Sequence, residues 1–63
     1  MKLIDINSLN VQEYSKQHKK AYEHWEEGEP IRAWYDEDNV LCIEYASGSW
    51  WHYRLNNNNL EWW

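Results

Sequence analysis

The chain has 63 residues, a formal net charge of −5, one cysteine, six tryptophans and five tyrosines, and no phenylalanine. A domain of this size buries only about 60% of the surface that its unfolded chain exposes, so the large aromatic side chains must supply most of the core. The single cysteine excludes an internal disulfide, and the length leaves no room for a second domain, so we expect one domain over residues 1–63.

Residues 1–9 contain a short apolar run, from Leu3 to Ile6, that is interrupted by Asp5. Such a run fits a short strand on a sheet edge or an extended arm, and the sequence leaves both open. It lacks the apolar core of about 7–15 residues that a signal peptide needs, and no window approaches the roughly 20 apolar residues of a membrane span. We therefore expect a cytoplasmic protein without membrane contact.

Residues 10–28 carry the signals of one amphipathic helix. Asn10 followed by Glu13 has the spacing of a capping box at a helix start. Gly28 followed by Pro30 predicts the helix end. Between them, apolar residues recur at steps of three and four, which predicts one face that packs on a sheet. That face comprises Val11, Tyr14, His18, Ala21 and Trp25.

Residues 31–63 alternate with a period of two, which is typical of strands, and turn residues separate the runs. Three runs each place an apolar set on one face, namely Ile31, Ala33 and Tyr35, then Leu41, Ile43 and Tyr45, then Trp51, Tyr53 and Leu55. Bringing these sets to one side of a sheet requires three-residue loops, which we place at 37–39 and 47–49. A fourth run, from Leu60 to Trp63, would pair Leu60 with Leu55. The predicted fold is α+β, with one amphipathic helix packed on one face of a three- to four-stranded antiparallel meander.

The other face of this predicted sheet collects Arg32, Trp34, Glu44, Trp50, His52 and Arg54, and Trp63 joins them if the last strand forms. In the predicted register Arg32, Glu44 and His52 make one cross-strand row, and Trp34, Cys42 and Arg54 make the next. Unless the strand register is wrong, the outward tryptophans are covered by the N-terminal arm or a loop, or they form a protein-binding or self-association surface, or they are a platform for a sugar or peptide. Because tryptophan and arginine are typical hot-spot residues, we favour a protein partner or self-association and predict no small-molecule ligand.

Carboxylates are concentrated between residues 23 and 38, where Arg32 is the only lysine or arginine. They are Glu23, Glu26, Glu27, Glu29, Asp36, Glu37 and Asp38. They form a solvated surface, or else an acidic patch that occupies a basic site on a nucleic-acid-binding protein, as an inhibitor or nucleic-acid mimic would. Direct nucleic-acid binding is not expected, because phosphate contacts need basic density that the chain lacks outside its short lysine cluster.

The cysteine, the histidines and the carboxylates are the candidate catalytic and metal-binding groups of the chain. Cys42 and His52 fall on one predicted face, but the sequence offers no third group to orient the histidine, so a free cysteine in a sheet is preferred over a nucleophile. His18 lies in the apolar stripe and is expected in the core. Glu23 and Glu27 share a helix face without a histidine at matching spacing, which does not indicate a metal site. We predict no enzyme activity, no metal and no cofactor.

The run from Ala21 to Tyr53 resembles small uncharacterised accessory proteins encoded on conjugative elements and prophages of Gram-positive bacteria. This resemblance implies an accessory or host-interaction role and carries no catalytic residues. The function predicted from the sequence is therefore a small non-catalytic interaction module that docks through its aromatic sheet face, and the alternative is the acidic inhibitor.

Overall fold

The computed structural model describes residues 1–63, which form one helix and five strands. In chain order these are β1 (Lys2–Ile4), α1 (Leu9–Lys20), β2 (Pro30–Tyr35), β3 (Leu41–Tyr45), β4 (Trp50–Asn56) and β5 (Asn59–Trp62). The strands lie side by side in this order, and each neighbouring pair is antiparallel. The α+β prediction is confirmed. Both terminal runs form strands, so the sheet has five strands rather than three or four.

The helix is shorter than predicted and ends at Lys20 instead of residue 28. Its last turn holds Lys19 and Lys20, and cations are stabilising near the negative end of a helix. The carboxylates that follow, from Glu23 onward, would oppose the helix dipole if the helix continued. The helix begins after Ser8 rather than Asn10, and the Ser8 side chain makes no capping hydrogen bond. At twelve residues, α1 lacks the length and the apolar character to cross a membrane.

The residues after the helix run beside the β3–β4 turn. The backbone N–H of Ala46 donates to the carbonyl of Glu29, and that of Ser47 donates to the carbonyl of Glu27. Gly28 lies between these two bonds at a φ of 80°, and a Cβ placed on it would stand 2.8 Å from the Ala46 Cβ. Gly28 therefore allows a close backbone approach, and it does not end the helix as predicted.

The core lies between α1 and the inner face of the sheet. Its buried cluster comprises Val11, Ala33, Leu41, Ile43, Tyr45 and Tyr53, which confirms most of the predicted inward residues. Ile31 is an exception, because a β-bulge between Pro30 and Arg32 leaves it 54% exposed while Pro30 is buried. Leu55 is also half exposed, near the end of β4.

The first hairpin, β2–β3, has the predicted register. Tyr35 opposes Leu41, and the loop 37–39 ends with Asn39 in the left-handed region at a φ of 61°. At the other end of the meander, Leu55 opposes Leu60 as predicted. The two residues of that turn, Asn57 and Asn58, both have positive φ, as a two-residue type I′ turn requires.

The second hairpin, β3–β4, is shifted by two residues from the prediction. Trp51 opposes Ile43 rather than Tyr45, because the loop consists of residues 46–48 and not 47–49. The last position of a three-residue hairpin loop takes the left-handed conformation, and Gly48 fills it with a φ of 96°. A shift of two residues leaves each side chain on its predicted face but changes its cross-strand neighbours.

Candidate functional site

The outer face of the sheet is the side that α1 does not cover. Its observed rows are Arg32–Glu44–Trp50 and Trp34–Cys42–His52, while Arg54 opposes Glu61 of β5. The predicted rows were wrong in their third member because of the register shift in the second hairpin. All six predicted surface residues nevertheless lie on this one face.

The N-terminal segment extends this face and does not cover it. Leu3 of β1 opposes Trp34 and is 62% exposed. The N-terminal segment therefore lies beside β2 as a strand and does not fold over the sheet as an arm. Trp34 itself is only 8% exposed, because its neighbours on the same face pack against it, whereas Trp50 and Trp63 are 49% and 52% exposed.

A continuous series of side chains in contact runs across the outer face, and we call it the outer aromatic ladder. Successive groups lie 5.0–5.5 Å apart, measured between ring centroids or from guanidinium carbon to centroid. The members in order are Arg32, Trp34, Trp50, His52, Trp63 and Arg54. Trp63 stacks on His52 with only 7° between the ring planes. The ladder thus begins and ends with an arginine held over a tryptophan.

Each of these arginines is paired with a glutamate of the neighbouring strand. Arg32 contacts Glu44 with 2.6 Å between Nη2 and Oε1, and Arg54 contacts Glu61 at 3.0 Å. Hydrogen bonds that Arg54 and Asn56 donate lower the pKa of Glu61. Each end of the outer aromatic ladder therefore carries one positive and one negative side chain, whose charges cancel.

Asp36, Cys42 and His52 meet at the end of this face that lies next to the β2–β3 turn. Cys42 lies directly opposite His52, not one row away as predicted, and the Asp36 Oδ2 atom is 3.9 Å from the His52 Nε2 atom. One ligand atom from each of the three residues lies within 4.8 Å of the other two. Sequence reasoning missed Asp36 as the third group, although its position at the start of the first hairpin loop was a usable signal.

The Cys42 side chain is buried, and burial is the main reason why its thiol pKa rises to about 11, with the negative charge of Asp36 adding to the effect. A thiol with that pKa is protonated at neutral pH, and the thiolate is the nucleophilic form. The arrangement therefore does not provide an activated nucleophile.

His18 lies on the opposite side of the sheet, in the core, as predicted. It is fully buried, its Nδ1 atom is 2.6 Å from the Tyr53 hydroxyl, and that hydroxyl is 2.6 Å from the Tyr45 hydroxyl. Burial lowers the pKa of His18 to about 4, although the charge of Glu27 acts in the opposite direction. The surrounding rings are those of Tyr22, Trp25, Tyr45, Trp51, Tyr53 and Trp62. His18 is therefore a neutral group that organises the core.

The predicted acidic residues fall into two groups. Glu23, Glu26, Glu27 and Glu29 belong to the loop beside the β3–β4 turn, while Asp36, Glu37 and Asp38 belong to the β2–β3 turn. The six residues of β2 separate the two groups, and a strand of that length spans about 20 Å. Glu29 is also paired with Lys19, and Glu27 accepts a hydrogen bond from Ser47. The structure therefore does not assemble one acidic patch.

Comparison of the chain with protein-family models found no match, and comparisons with curated proteins and with solved structures found none either.

Proposed function

We propose that the chain is a small non-catalytic protein-interaction module that docks through the outer aromatic ladder, with a second copy of the chain as the occupant. The observation that carries the proposal is the half-exposure of Trp50 and Trp63 on a sheet face that no other element covers. Exposed apolar surface of this kind is typical of interaction sites, and tryptophan is the residue most enriched at binding hot spots.

The composition of the ladder favours a second copy over an unrelated partner. A two-fold interface requires a surface that is complementary to itself. The ladder has an arginine at each end, each paired with a glutamate and each next to a tryptophan. Two copies that face each other about a two-fold axis can therefore place the Arg32–Glu44 pair of one against the Arg54–Glu61 pair of the other, without an uncompensated charge.

The dimensions of the molecule are compatible with a stable dimer through this face. The molecule measures 31 × 27 × 19 Å, and a helix packed on a sheet accounts for its shortest dimension. The outer face therefore spans the two longer dimensions. Such an area is comparable with the roughly 800 Å² per partner that stable protein interfaces bury.

The alternative function, an acidic inhibitor of a nucleic-acid-binding protein, has less support because the carboxylates are divided between two ends of β2. Salt dependence separates the two proposals. Binding of the carboxylates to a basic partner should weaken steeply as ionic strength rises, because salt screens exposed charges beyond about 8 Å at physiological ionic strength. Dimerisation through the outer aromatic ladder should persist at high ionic strength.

Sedimentation equilibrium over a range of protein concentrations tests the proposal, with Trp50→Ala and Trp63→Ala as the variants. Tyr22→Ala is the matched control, because Tyr22 is 48% exposed but lies on the helix side of the sheet. We expect a dimer that survives high salt, a dissociation constant raised at least tenfold in both tryptophan variants, and no change in the control. A monomer at every concentration, or equal loss in variants and control, would overturn the proposal.

A further inference from the structure

We infer that Asp36, Cys42 and His52 form a binding site for a divalent cation, and that Zn²⁺ is the cation that their donor atoms fit best. A carboxylate oxygen, a sulfur and an imidazole nitrogen are the ligand types that zinc uses in proteins. The three atoms already lie within 4.8 Å of one another. This inference goes beyond the proposed interaction module and does not depend on it, because the three residues belong to one copy of the chain.

The backbone brings these side chains together. His52 exchanges both backbone hydrogen bonds with Trp63, the residue after β5, so its pairing with Cys42 on β3 is of the non-hydrogen-bonded kind. Facing side chains are closest in that kind of pair, with Cα atoms about 4.5 Å apart. Asp36 closes the adjacent hairpin by donating its N–H to the Val40 carbonyl, which places its carboxylate beside the same pair.

The histidine is held in an orientation suited to a metal ligand. Its Nδ1 atom is 3.3 Å from the Trp63 carbonyl oxygen, and its ring stacks on the Trp63 indole. The Nε2 atom is left facing Asp36. Metal-binding histidines commonly donate their other ring N–H to a backbone carbonyl or carboxylate, which fixes the tautomer and the ring plane.

The carboxylate of Asp36 is oriented in a comparable way. Its Oδ1 atom accepts hydrogen bonds from the backbone N–H groups of Asp38 and Val40. Its Oδ2 atom is the one directed toward His52. In His52 and in Asp36, one polar side-chain atom is hydrogen-bonded to the backbone. The other polar atom is free to bind a metal and lies near the Cys42 sulfur.

Binding requires a small contraction and the loss of one proton. Zinc–ligand distances of about 2.0–2.3 Å place tetrahedral ligand atoms about 3.3–3.8 Å apart. The ligand atoms lie within 4.8 Å of one another, so the most distant pair must close by up to about 1.0–1.5 Å. The Cys42 thiol transfers its proton to solvent as the sulfur–metal bond forms, and no group is oxidised or reduced. Water completes the fourth coordination position.

Titration of the metal-free protein with Co²⁺, followed by displacement with Zn²⁺, tests the site. We expect a sulfur-to-cobalt charge-transfer absorption that saturates at one equivalent and disappears when Zn²⁺ is added. Cys42→Ala should abolish that absorption. His52→Asn and Asp36→Asn should each weaken binding at least tenfold, whereas His24→Asn should not, because His24 is highly exposed and is paired with Glu26.

A second readout guards against a variant that fails to fold. Zn²⁺ should slow the reaction of the wild-type Cys42 with a thiol reagent, and near-ultraviolet circular dichroism of each metal-free variant should match the wild type. The inference is overturned if no charge-transfer absorption develops, or if His52→Asn and His24→Asn bind Co²⁺ as tightly as the wild type, because the thiol alone would then account for binding.

Discussion

The Tyr53 hydroxyl oxygen lies 2.6 Å from the Nδ1 atom of His18, although the two residues are 35 positions apart. This contact joins α1 to β4 inside the core, where both residues are almost completely buried. A second short contact joins the same hydroxyl to that of Tyr45 on β3. One phenol group therefore satisfies polar atoms from two other elements, in a setting where an unpaired polar group is costly.

Replacing Tyr53 by phenylalanine should destabilise the fold strongly. The change leaves both His18 Nδ1 and the Tyr45 hydroxyl without this partner, at a cost of about 1–3 kcal/mol for each buried group. We expect Tyr53→Phe to lower the free energy of unfolding by about 2–4 kcal/mol in denaturant titrations. Tyr14→Phe is the control, because Tyr14 stacks near Tyr53 but makes no side-chain hydrogen bond, and it should change stability by less than about 0.5 kcal/mol. Equal effects of the two changes would contradict the role of the hydroxyl.

The buried histidine should make stability fall in mild acid. Its pKa is about 4 in the fold and about 6.5 in an unfolded chain, so the unfolded state binds more protons between these values. The contribution is fully present above pH 6.5 and is lost as the pH falls to about 4, by about 3 kcal/mol in total. Tyr45 and Tyr53 stay protonated across this window, because burial raises the pKa of both.

Unfolding of the wild type and of His18→Gln between pH 7 and pH 4 isolates this contribution, because the difference between the two curves cancels the titrating groups that do not interact with His18. The difference should shrink steadily with falling pH. A constant difference would mean that His18 keeps an ordinary pKa in the folded protein. Titration of the His18 ring protons by NMR measures that pKa directly.

Two glycines of positive φ should respond differently to alanine. At Gly28 the added methyl group meets both an unfavourable φ and the Ala46 side chain, whereas at Gly48 there is nothing within 4 Å of the added carbon. A left-handed conformation costs an alanine about 1–2 kcal/mol. We expect that loss for Gly48→Ala and a loss larger by about 1 kcal/mol or more for Gly28→Ala in thermal or denaturant unfolding. If Gly28→Ala were the milder change, the loop would not pack on Ala46 as described.

Side-chain alternation in the sequence correctly assigned the two faces of the meander, because a strand with one buried face tolerates no shift of an odd number of residues. It did not distinguish the predicted pairing of Tyr45 with Trp51 from the observed pairing of Ile43 with Trp51, since these differ by two. The position of Gly48 contained the missing information. Asn39 ends the first loop, and the same left-handed position in the second loop required Gly48 to be last.

The site was predictable only in part, for the same reason. Trp34, Trp50 and His52 were assigned to the outer face by alternation alone, but the rows that they form depend on the register. Only the observed register sets His52 opposite Cys42, where Asp36 can reach both. The helix end was wrong because apolar spacing continued to Trp25, which packs on the core from a loop.

The connections of the sheet imply an order in which its strands pair. Hairpin loops of two or three residues connect each strand to the next from β2 through β5. Pairing of these neighbouring strands therefore brings together residues that are close in sequence. Pairing of β1 with β2 brings Lys2 to Tyr35, across the whole helix, for a strand of only three residues. Closing that long segment costs more chain entropy. We therefore expect β1 to pair last in folding and its amides to exchange with solvent first, which would briefly turn β2 into the edge of the sheet.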